Sequence, residues 1–203
     1  MSKKPIIVFE GIEGTGKSHH INNVAVYLRK NKKRFIQIRE PGGSKNSEKI
    51  RKLILNNKST FNKYTDLLLY LSARSENIEL IKKNIGKKII LIDRFSDSTV
   101  AYQHYGMGVS LKFIKNINDH LIKDINIDFT FLNTVNQKNM HQRLMKRKKL
   151  NRYDKFNNNF YDKVQKGFKK ILKRNPKNYM IINSNLDISH NEKIILNKIN
   201  DLI

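Results

Sequence analysis

Residues 11–18 read Gly-Ile-Glu-Gly-Thr-Gly-Lys-Ser. Gly11, Gly16, Lys17 and Ser18 fill the P-loop pattern, in which a glycine is followed by any four residues, a glycine, a lysine and a serine or threonine. The glycines let the backbone turn tightly, so that successive N–H groups can point at an anion. The lysine can reach the β- and γ-phosphates of a nucleotide, and the serine hydroxyl can ligate Mg²⁺. The stretch therefore predicts a phosphate-binding loop.

The flanking residues give this loop its expected context. The apolar run Ile6–Phe9 precedes it and predicts a buried strand. Apolar residues repeat at helical spacing after it, at Ile21, Val24, Ala25 and Leu28. A glycine-rich turn with a surface lysine is the alternative, but it does not require a strand before it and a helix after it.

Further along the chain, four more apolar runs alternate with helical patterns. We predict strands at about 5–10, 35–39, 87–92, 127–132 and 179–182. We predict helices at about 17–31, 47–55, 64–85, 96–105, 113–121, 137–149, 160–171 and 192–202. This alternation indicates an α/β fold of the P-loop class, with a five-stranded parallel sheet covered by helices on both faces. No linker or repeat interrupts it, so residues 1–203 are expected to form one domain.

The amino-acid composition limits the kinds of ligand and metal site that the protein can have. There are 41 Lys and Arg against 17 Asp and Glu, a net charge of +24, and no cysteine. The missing thiols exclude disulfides and Cys-based zinc sites. The excess charge indicates either an anionic partner or a coding bias toward lysine, asparagine and isoleucine. The lysines are spread along the chain rather than clustered, which favours a small anionic substrate over a specific nucleic-acid surface.

Nothing in the sequence indicates a membrane protein. No apolar segment is long enough to span a bilayer, and no signal peptide precedes the first strand. We therefore expect a cytoplasmic protein without a membrane partner.

Two polar motifs follow predicted strands. Arg39-Glu40-Pro41-Gly42-Gly43 follows the second strand, and Asp93-Arg94-Phe95 follows the third. Open α/β sheets bind ligands at the carboxyl ends of their strands, which favours a site here over a surface ion pair.

Arg74 occupies an unusual place in the long helix at about 64–85. It lies on the apolar stripe formed by Leu67, Leu71, Ile78, Ile81 and Ile85, and Tyr70 lies one turn before it. Since a buried arginine needs a partner, Arg74 either opens into a polar cavity or extends to the surface. The basic run at 145–152 is similarly open to two interpretations, a solvated helix end or a lid that closes on phosphates.

Together these motifs resemble the thymidylate kinase family. The resemblance rests on residues 9–18, 39–43 and 93–95, on Ser98-Thr99-Val100-Ala101-Tyr102-Gln103, and on the arginine-rich segment at about 143–156. They occur in the order and spacing of that family and cover nearly the whole chain. The resemblance implies transfer of the γ-phosphoryl group of ATP to dTMP with Mg²⁺, by a homodimer.

The resemblance also implies roles for individual residues. The ATP site would comprise Gly11, Ile12, Glu13, Gly14, Thr15, Gly16, Lys17, Ser18 and Arg143. The dTMP site would comprise Glu13, Arg39, Tyr70, Arg74, Arg94, Thr99 and Tyr102. Ser18 and Asp93 would lie at the metal, and the catalytic residues would be Lys17, Glu13, Arg94, Arg147 and Arg152.

Three positions depart from the pattern of the family. Gly14 stands where one branch has an arginine, so the catalytic arginine is expected from the lid. Arg147 and Arg152 are the first candidates and Arg143 is the third. Asn151 stands where aspartate is frequent, and Met107 where many members have arginine.

Two other functions remain open at this stage. A deoxynucleoside kinase, or a kinase for another nucleotide, would also combine a P-loop with an Asp-Arg strand end, but the motif at 39–43 indicates an additional phosphate clamp. A P-loop ATPase or a nucleic-acid-binding protein would account for the charge, but it gives no reason for Arg74 or Tyr102.

Overall fold

A central parallel sheet organises the computed structural model, which describes residues 4–203. Its strands are β1 Ile6–Glu10, β2 Phe35–Arg39, β3 Ile89–Asp93, β4 Phe129–Thr134 and β5 Tyr179–Asn183. They pair in parallel in the order β2-β3-β1-β4-β5. This confirms the predicted sheet. The first three residues, which were expected to lead into β1, lie outside the described range.

Helices connect the strands. They are α1 Lys17–Lys30, α2 Lys45–Leu55, α3 Lys63–Asn84, α4 Ser96–Thr99, α5 Leu111–Ile122, α6 Gln137–Met145, α7 Asn158–Leu172 and α8 Ile188–Leu202. A π-helical segment, Val100–Gly106, continues α4, and 3-10 turns occupy Tyr153–Lys155 and Pro176–Asn178. Within residues 4–203, none of the helices combines the length and the apolar character needed to cross a membrane.

The side chains of β1 alternate between two apolar layers. Ile7 and Phe9 pack with buried residues of α1 and α8 on one face. Ile6 and Val8 pack with buried residues of α3 on the other face. Burying an isoleucine or phenylalanine contributes roughly 1.5–3 kcal/mol relative to leaving it exposed. The sheet is therefore fixed between helices on both faces, as its uninterrupted apolar strands predict.

Two helix boundaries differ by four residues from the sequence prediction. Helix α6 ends at Met145 instead of continuing to residue 149, because four consecutive cations follow and like charges repel along a helix. Helix α8 begins four residues early, because the Asp187 side chain accepts hydrogen bonds from the N–H groups of Ser189 (2.8 Å) and His190 (3.2 Å).

The strand register brings the predicted motifs to one edge of the sheet. Phe9 lies beside Asp93 in the β1–β3 pair, and Arg39 lies beside Asp93 in the β2–β3 pair. The loop after β1, the loop after β2 and the turn after β3 therefore meet at the carboxyl ends of neighbouring strands. Ligands of open α/β sheets bind at this edge.

Candidate active site

A cavity of about 190 Å³ opens at this edge. Its charged lining is mainly positive. The cations are Lys17, Arg39, Arg51, Arg74, Arg94 and Arg147, and the carboxylates are Glu13, Glu40 and Asp93. The excess of cations favours an anionic ligand or ligands, because a partly enclosed cavity concentrates the field of its charges.

The P-loop contributes Glu13, Lys17 and Ser18 to the cavity lining and requires glycine at its first turn. Gly11 has a φ of 133°, and a Cβ there would lie 2.2 Å from the carbonyl oxygen of Asn133. Gly16 has a φ of 78° and is the N-cap of α1. Only glycine adopts these conformations without strain. The positive end of the α1 dipole therefore begins at the loop, which favours binding of a phosphate there.

Lys17 is held by the loop itself. Its ammonium group donates to the carbonyl oxygens of Gly11 and Ile12, both at 2.8 Å, and to the Thr15 hydroxyl at 3.2 Å. The side chain is buried, and burial together with the nearby Arg94 guanidinium lowers the pKa of Lys17 to about 7. An anion in the cavity would favour the charged ammonium.

Arg94 joins the P-loop to the turn after β3. It adopts the left-handed region, with a φ of 67°, a strained conformation for a residue with a side chain. Its guanidinium donates to the Gly11 carbonyl (2.7 Å), to Glu13 (2.8 Å) and to Ser98 (3.3 Å). It also lies over the Tyr102 ring, 5.0 Å from the centroid. These contacts offset the strain and fix the direction of the guanidinium.

A buried glutamate fixes the turn on which Arg94 lies. Glu10 accepts hydrogen bonds from the N–H groups of Phe95 (2.8 Å) and Ser98 (3.2 Å) and from the Ser98 hydroxyl (2.5 Å). Burial, followed by the carboxylate of Asp97, raises the pKa of Glu10 to about 8. The Glu10 side chain, which belongs to β1, therefore caps the first turn of α4.

Glu13 points from the P-loop into the cavity. It pairs with Arg94 and accepts a hydrogen bond of 2.5 Å from the Tyr102 hydroxyl. Burial opposes its ionisation, but Arg94, Lys17 and the Tyr102 hydroxyl outweigh burial and lower its pKa. Glu13 is therefore a carboxylate at neutral pH and can accept a hydrogen bond from a ligand.

Two oxygen donors lie together beside the P-loop. The Ser18 hydroxyl donates to a carboxylate oxygen of Asp93 at 3.1 Å, and both residues line the cavity. Within residues 4–203, no group of three or more His, Cys, Asp or Glu side chains could hold a metal ion by itself. A hydroxyl with one carboxylate suits Mg²⁺, which takes oxygen ligands and keeps several from phosphates and water.

Arg74 lines the cavity and is itself buried. Its side chain is 1 % exposed, so it does not extend to the surface. Nε and Nη2 lie 2.8 Å from the same Glu40 oxygen, Nη1 donates to Asn118 at 2.6 Å, and the guanidinium lies over Phe95. A guanidinium has five N–H donors. Two of them are left for a ligand in the cavity.

Three further predicted residues also line the cavity. The hydroxyl of Thr99 is buried without a hydrogen-bond partner in the protein. Tyr70 meets Tyr153 edge-on, with ring centroids 5.8 Å apart. Tyr102 is carried by the π-helical segment and contacts Glu13. A buried polar group without a partner costs about 1–3 kcal/mol, so Thr99 is suited to a ligand that supplies one.

Arg39 lies at the exposed rim. It forms a two-bond ion pair with Glu48 of α2, with both bonds at 3.0 Å, and its side chain is 55 % exposed. Glu48 also accepts from the Gly43 N–H at 2.9 Å. The motif at 39–43 and the start of α2 therefore form one unit at the mouth of the cavity.

The predicted lid, residues 143–156, brings one arginine to the cavity. Arg147 lines it and donates to the buried Asp154 carboxylate at 2.5 Å. Asn151 donates to the other oxygen of Asp154 through its backbone N–H (2.9 Å) and its side-chain amide (2.5 Å). The lid is therefore paired internally with asparagine at position 151.

The other two lid arginines lie outside the cavity lining. Arg143 bridges the P-loop and the loop after β5, donating to the carbonyl oxygens of Gly14 (2.9 Å) and Ser184 (2.6 Å). Arg152 donates to the Ile54 carbonyl at 3.0 Å and pairs with Asp66. The structure thus places Arg143 beside the P-loop and Arg152 against α2 and α3.

Sequence reasoning did not single out three residues of the lining, Arg51, Gln103 and Tyr153. Arg51 donates to the Pro41 carbonyl at 2.5 Å. Arg51 lies one helical turn after Ser47, whose hydroxyl accepts from the Gly42 N–H. That spacing could have indicated Arg51. Gln103 and Tyr153 lie within the motifs that carry the family resemblance, but only the packing of the lid on the π-helical segment brings them together.

Three comparisons with known proteins indicate the same family. A family model described as thymidylate kinase matches residues 9–195. The chain is 36% identical to a thymidylate kinase of Thermosipho africanus over 91% of this chain and 92% of that one. It is 38% identical to a thymidylate kinase of Finegoldia magna over 88% and 89%. The crystal structure of thymidylate kinase from Ehrlichia chaffeensis superposes with a TM-score of 0.77, at 30% identity over 98% and 99% of the two chains.

The lowered pKa of Lys17 predicts that binding of a nucleoside triphosphate takes up a proton above pH 7. With a pKa of about 7, about nine-tenths of Lys17 is neutral at pH 8, and phosphate oxygens would restore its charge. Isothermal titration calorimetry with ATP, in buffers of different ionisation enthalpy, should therefore show greater proton uptake at pH 8 than at pH 6.

Lys17→Arg is the matched control, because a guanidinium stays charged throughout this range. It should remove the extra uptake at pH 8. Equal uptake at pH 8 by the variant and the original protein would contradict the assignment to Lys17.

Proposed function

Because the chain belongs to the thymidylate kinase family, we propose that it transfers the γ-phosphoryl group of ATP to dTMP, giving dTDP and ADP. The observation that carries this proposal is that one cavity contains the P-loop lysine, an excess of arginines and a partly aromatic pocket. Two anionic nucleotides require such a site, since their phosphates repel each other. We propose one domain over residues 1–203, with the lid at 143–156, acting in the cytoplasm.

The P-loop side would bind ATP. Its backbone N–H groups and Lys17 would hold the phosphates, and Arg143, bonded to the Gly14 carbonyl, lies where it can contact the nucleotide. Ser18 and Asp93 would hold Mg²⁺ together with phosphate oxygens. When bound, the ion would neutralise negative charge on the triphosphate.

Arg39 and Arg94 would hold the phosphate of dTMP. They lie at the ends of neighbouring strands, and both line the cavity. Arginine offers paired N–H donors that match phosphate oxygens and stays charged at any physiological pH. A neutral nucleoside would leave this clamp without its ligand, which favours a monophosphate acceptor.

The buried end of the cavity would bind the base and sugar. Arg74 has two N–H groups to donate to a carbonyl oxygen of thymine, and Thr99, which lines the same cavity, has a hydroxyl without a partner in the protein. Tyr70 would stack on the base. The Tyr102 ring would crowd the 2′ position of a ribose, and the ionised Glu13 would accept from the 3′-hydroxyl.

The transfer needs no strong base. A phosphate monoester has a second pKa near 6, so dTMP is largely a dianion at neutral pH. One of its oxygens attacks the γ-phosphorus while the bond to the β–γ bridging oxygen breaks, and ADP leaves. Lys17 and Arg147 would offset the charge that develops on the transferring group and the leaving oxygen. Arg152 is bonded to Asp66, and we assign it no contact with the phosphates.

An exposed apolar face supports a homodimer. Tyr64 and Leu68 of α3 are each 47 % exposed, and Phe113 of α5 is 40 % exposed. The Tyr64 and Phe113 rings meet edge-on, 6.0 Å apart, away from the cavity lining. We propose that a second copy of the chain covers this face.

The acceptor is tested by measuring ADP release with ATP and Mg²⁺ against dTMP, dUMP, dCMP, dGMP, AMP and thymidine. We expect strong turnover with dTMP, weaker turnover with dUMP and none with thymidine. The thymine methyl should contribute only ~1–3 kcal/mol, which limits discrimination against dUMP. Turnover of thymidine but not of dTMP would show that Arg39 and Arg94 do not clamp an acceptor phosphate.

The role of the lid is tested with Arg147→Ala. Removal of an arginine that stabilises the transferring group should lower kcat by about 10³-fold. Steady-state kinetics with saturating ATP and dTMP measures this. Lys146→Ala, which alters an exposed neighbour in the lid, should leave kcat within about twofold. A loss of less than about threefold for Arg147→Ala would exclude it as the catalytic arginine.

The dimer is tested with Leu68→Glu, which places a charge on the proposed interface. We expect sedimentation velocity at micromolar concentration to give a dimer for the original protein and a monomer for the variant. Val26→Glu alters a similarly exposed residue of α1 and should leave the dimer intact. A monomeric original protein, or a dimeric Leu68→Glu variant, would contradict this interface.

A further inference from the structure

Asp66 is a buried carboxylate that the proposed reaction does not use directly. It lies in the first turn of α3 and is 1 % exposed. One of its oxygens pairs with Arg152, and the other accepts from the Tyr153 hydroxyl and, at 3.1 Å, from the Gln103 amide nitrogen. An ionised carboxylate only accepts hydrogen bonds. All three neighbours must therefore donate to it.

This arrangement fixes the orientation of the Gln103 amide. Burial, followed by Tyr70 and Asp66, raises the pKa of Tyr153 well above its ordinary value, so the phenol keeps its proton and donates it to Asp66. Its oxygen has two lone pairs. It shares a hydrogen bond with the Tyr70 hydroxyl, and the Gln103 nitrogen lies 3.3 Å from it. Both neighbours thus accept from the amide NH₂ group. The amide oxygen of Gln103 is left for another partner, and Gln103 lines the cavity.

An oriented amide oxygen distinguishes pyrimidine bases. Thymine presents an N3–H donor next to the O4 acceptor, whereas cytosine presents an N3 acceptor next to the N4 amino donor. Arg74 supplies donors to the same cavity, and Gln103 supplies an acceptor. This pair matches the hydrogen-bonding edge of thymine or uracil and opposes that of cytosine.

We propose that Asp66 is a positioning residue for base recognition, which holds the Gln103 amide so that its oxygen accepts from the N3–H of dTMP. This rests on the proposed function and deepens it. Arg152 and Tyr153 belong to the lid, so the same carboxylate also holds the lid against α3. The Asp66 carboxylate therefore contributes both to the position of the lid and to the recognition of the base.

The proposal is tested with Asp66→Asn. If the side-chain oxygen of the new asparagine remains bonded to Arg152, the NH₂ group of that asparagine faces the NH₂ group of Gln103. Two hydrogen-bond donors then face each other without an acceptor. Gln103 relieves the conflict by turning its oxygen toward position 66, which presents its NH₂ group to the base. We expect KM for dTMP to rise about 10- to 100-fold, KM for ATP to change by less than about threefold, and the dTMP/dCMP ratio of kcat/KM to fall at least tenfold.

A double-mutant cycle separates this role from a general structural one. In a Gln103→Ala background, Asp66→Asn should no longer alter the dTMP/dCMP ratio, because the oriented amide is gone. Asp124→Asn is the matched control, since Asp124 forms an exposed ion pair with Lys82. It should leave both KM values unchanged. An unchanged dTMP/dCMP ratio in Asp66→Asn, or the same fall with and without Gln103, would overturn the proposal.

Tyr153→Phe provides a second test that does not depend on the folding of Asp66→Asn. It keeps the ring and removes one of the two acceptors that fix the amide. We expect about a 3- to 10-fold rise in KM for dTMP, which is absent in the Gln103→Ala background. A rise that persists there would count against the proposal. Turnover of dTMP by the original protein is measured first, because its absence would refute the proposed function and not the role of Asp66.

Discussion

The contacts of the Arg94 guanidinium hold the site together. It is bonded to the Gly11 carbonyl and Glu13 of the P-loop and to Ser98 of α4, and it lies over the Tyr102 ring. A largely buried cation needs acceptors, and these come from the P-loop and from α4. The strained backbone of Arg94 persists because these bonds, and the cap that β1 gives to the following turn, determine its position.

Other cations of the cavity are likewise bonded to acceptors within the protein. Lys17 donates to loop carbonyls, Arg39 to Glu48, and Arg147 to Asp154. Nucleotide phosphates would therefore exchange partners with groups that are already in place. This reduces the conformational entropy lost on binding, which is the general advantage of a preorganised site.

The sheet, the P-loop and the two strand-end motifs could be predicted because each is encoded locally, by apolar runs or by glycine at turns. The burial of Arg74 was also detectable, since a cation on an apolar stripe requires an explanation. The partners of Asp66 and the position of Arg152 outside the cavity lining depend on how the lid packs against α3. No local pattern encodes that packing. The early end of α6 follows from repulsion within the basic run after Met145, which apolar spacing does not reveal.

The ion pair between Arg39 and Glu48 makes Glu48 an internal competitor for the mouth of the cavity. A tethered carboxylate has a high effective concentration, so weakly bound monoanions such as chloride would rarely displace it. A phosphate dianion that also reaches Arg94 gains a second guanidinium in the same event. The pair would therefore act as a filter on anion charge and shape, which would leave Arg39 available to a phosphate ester in the presence of simpler anions.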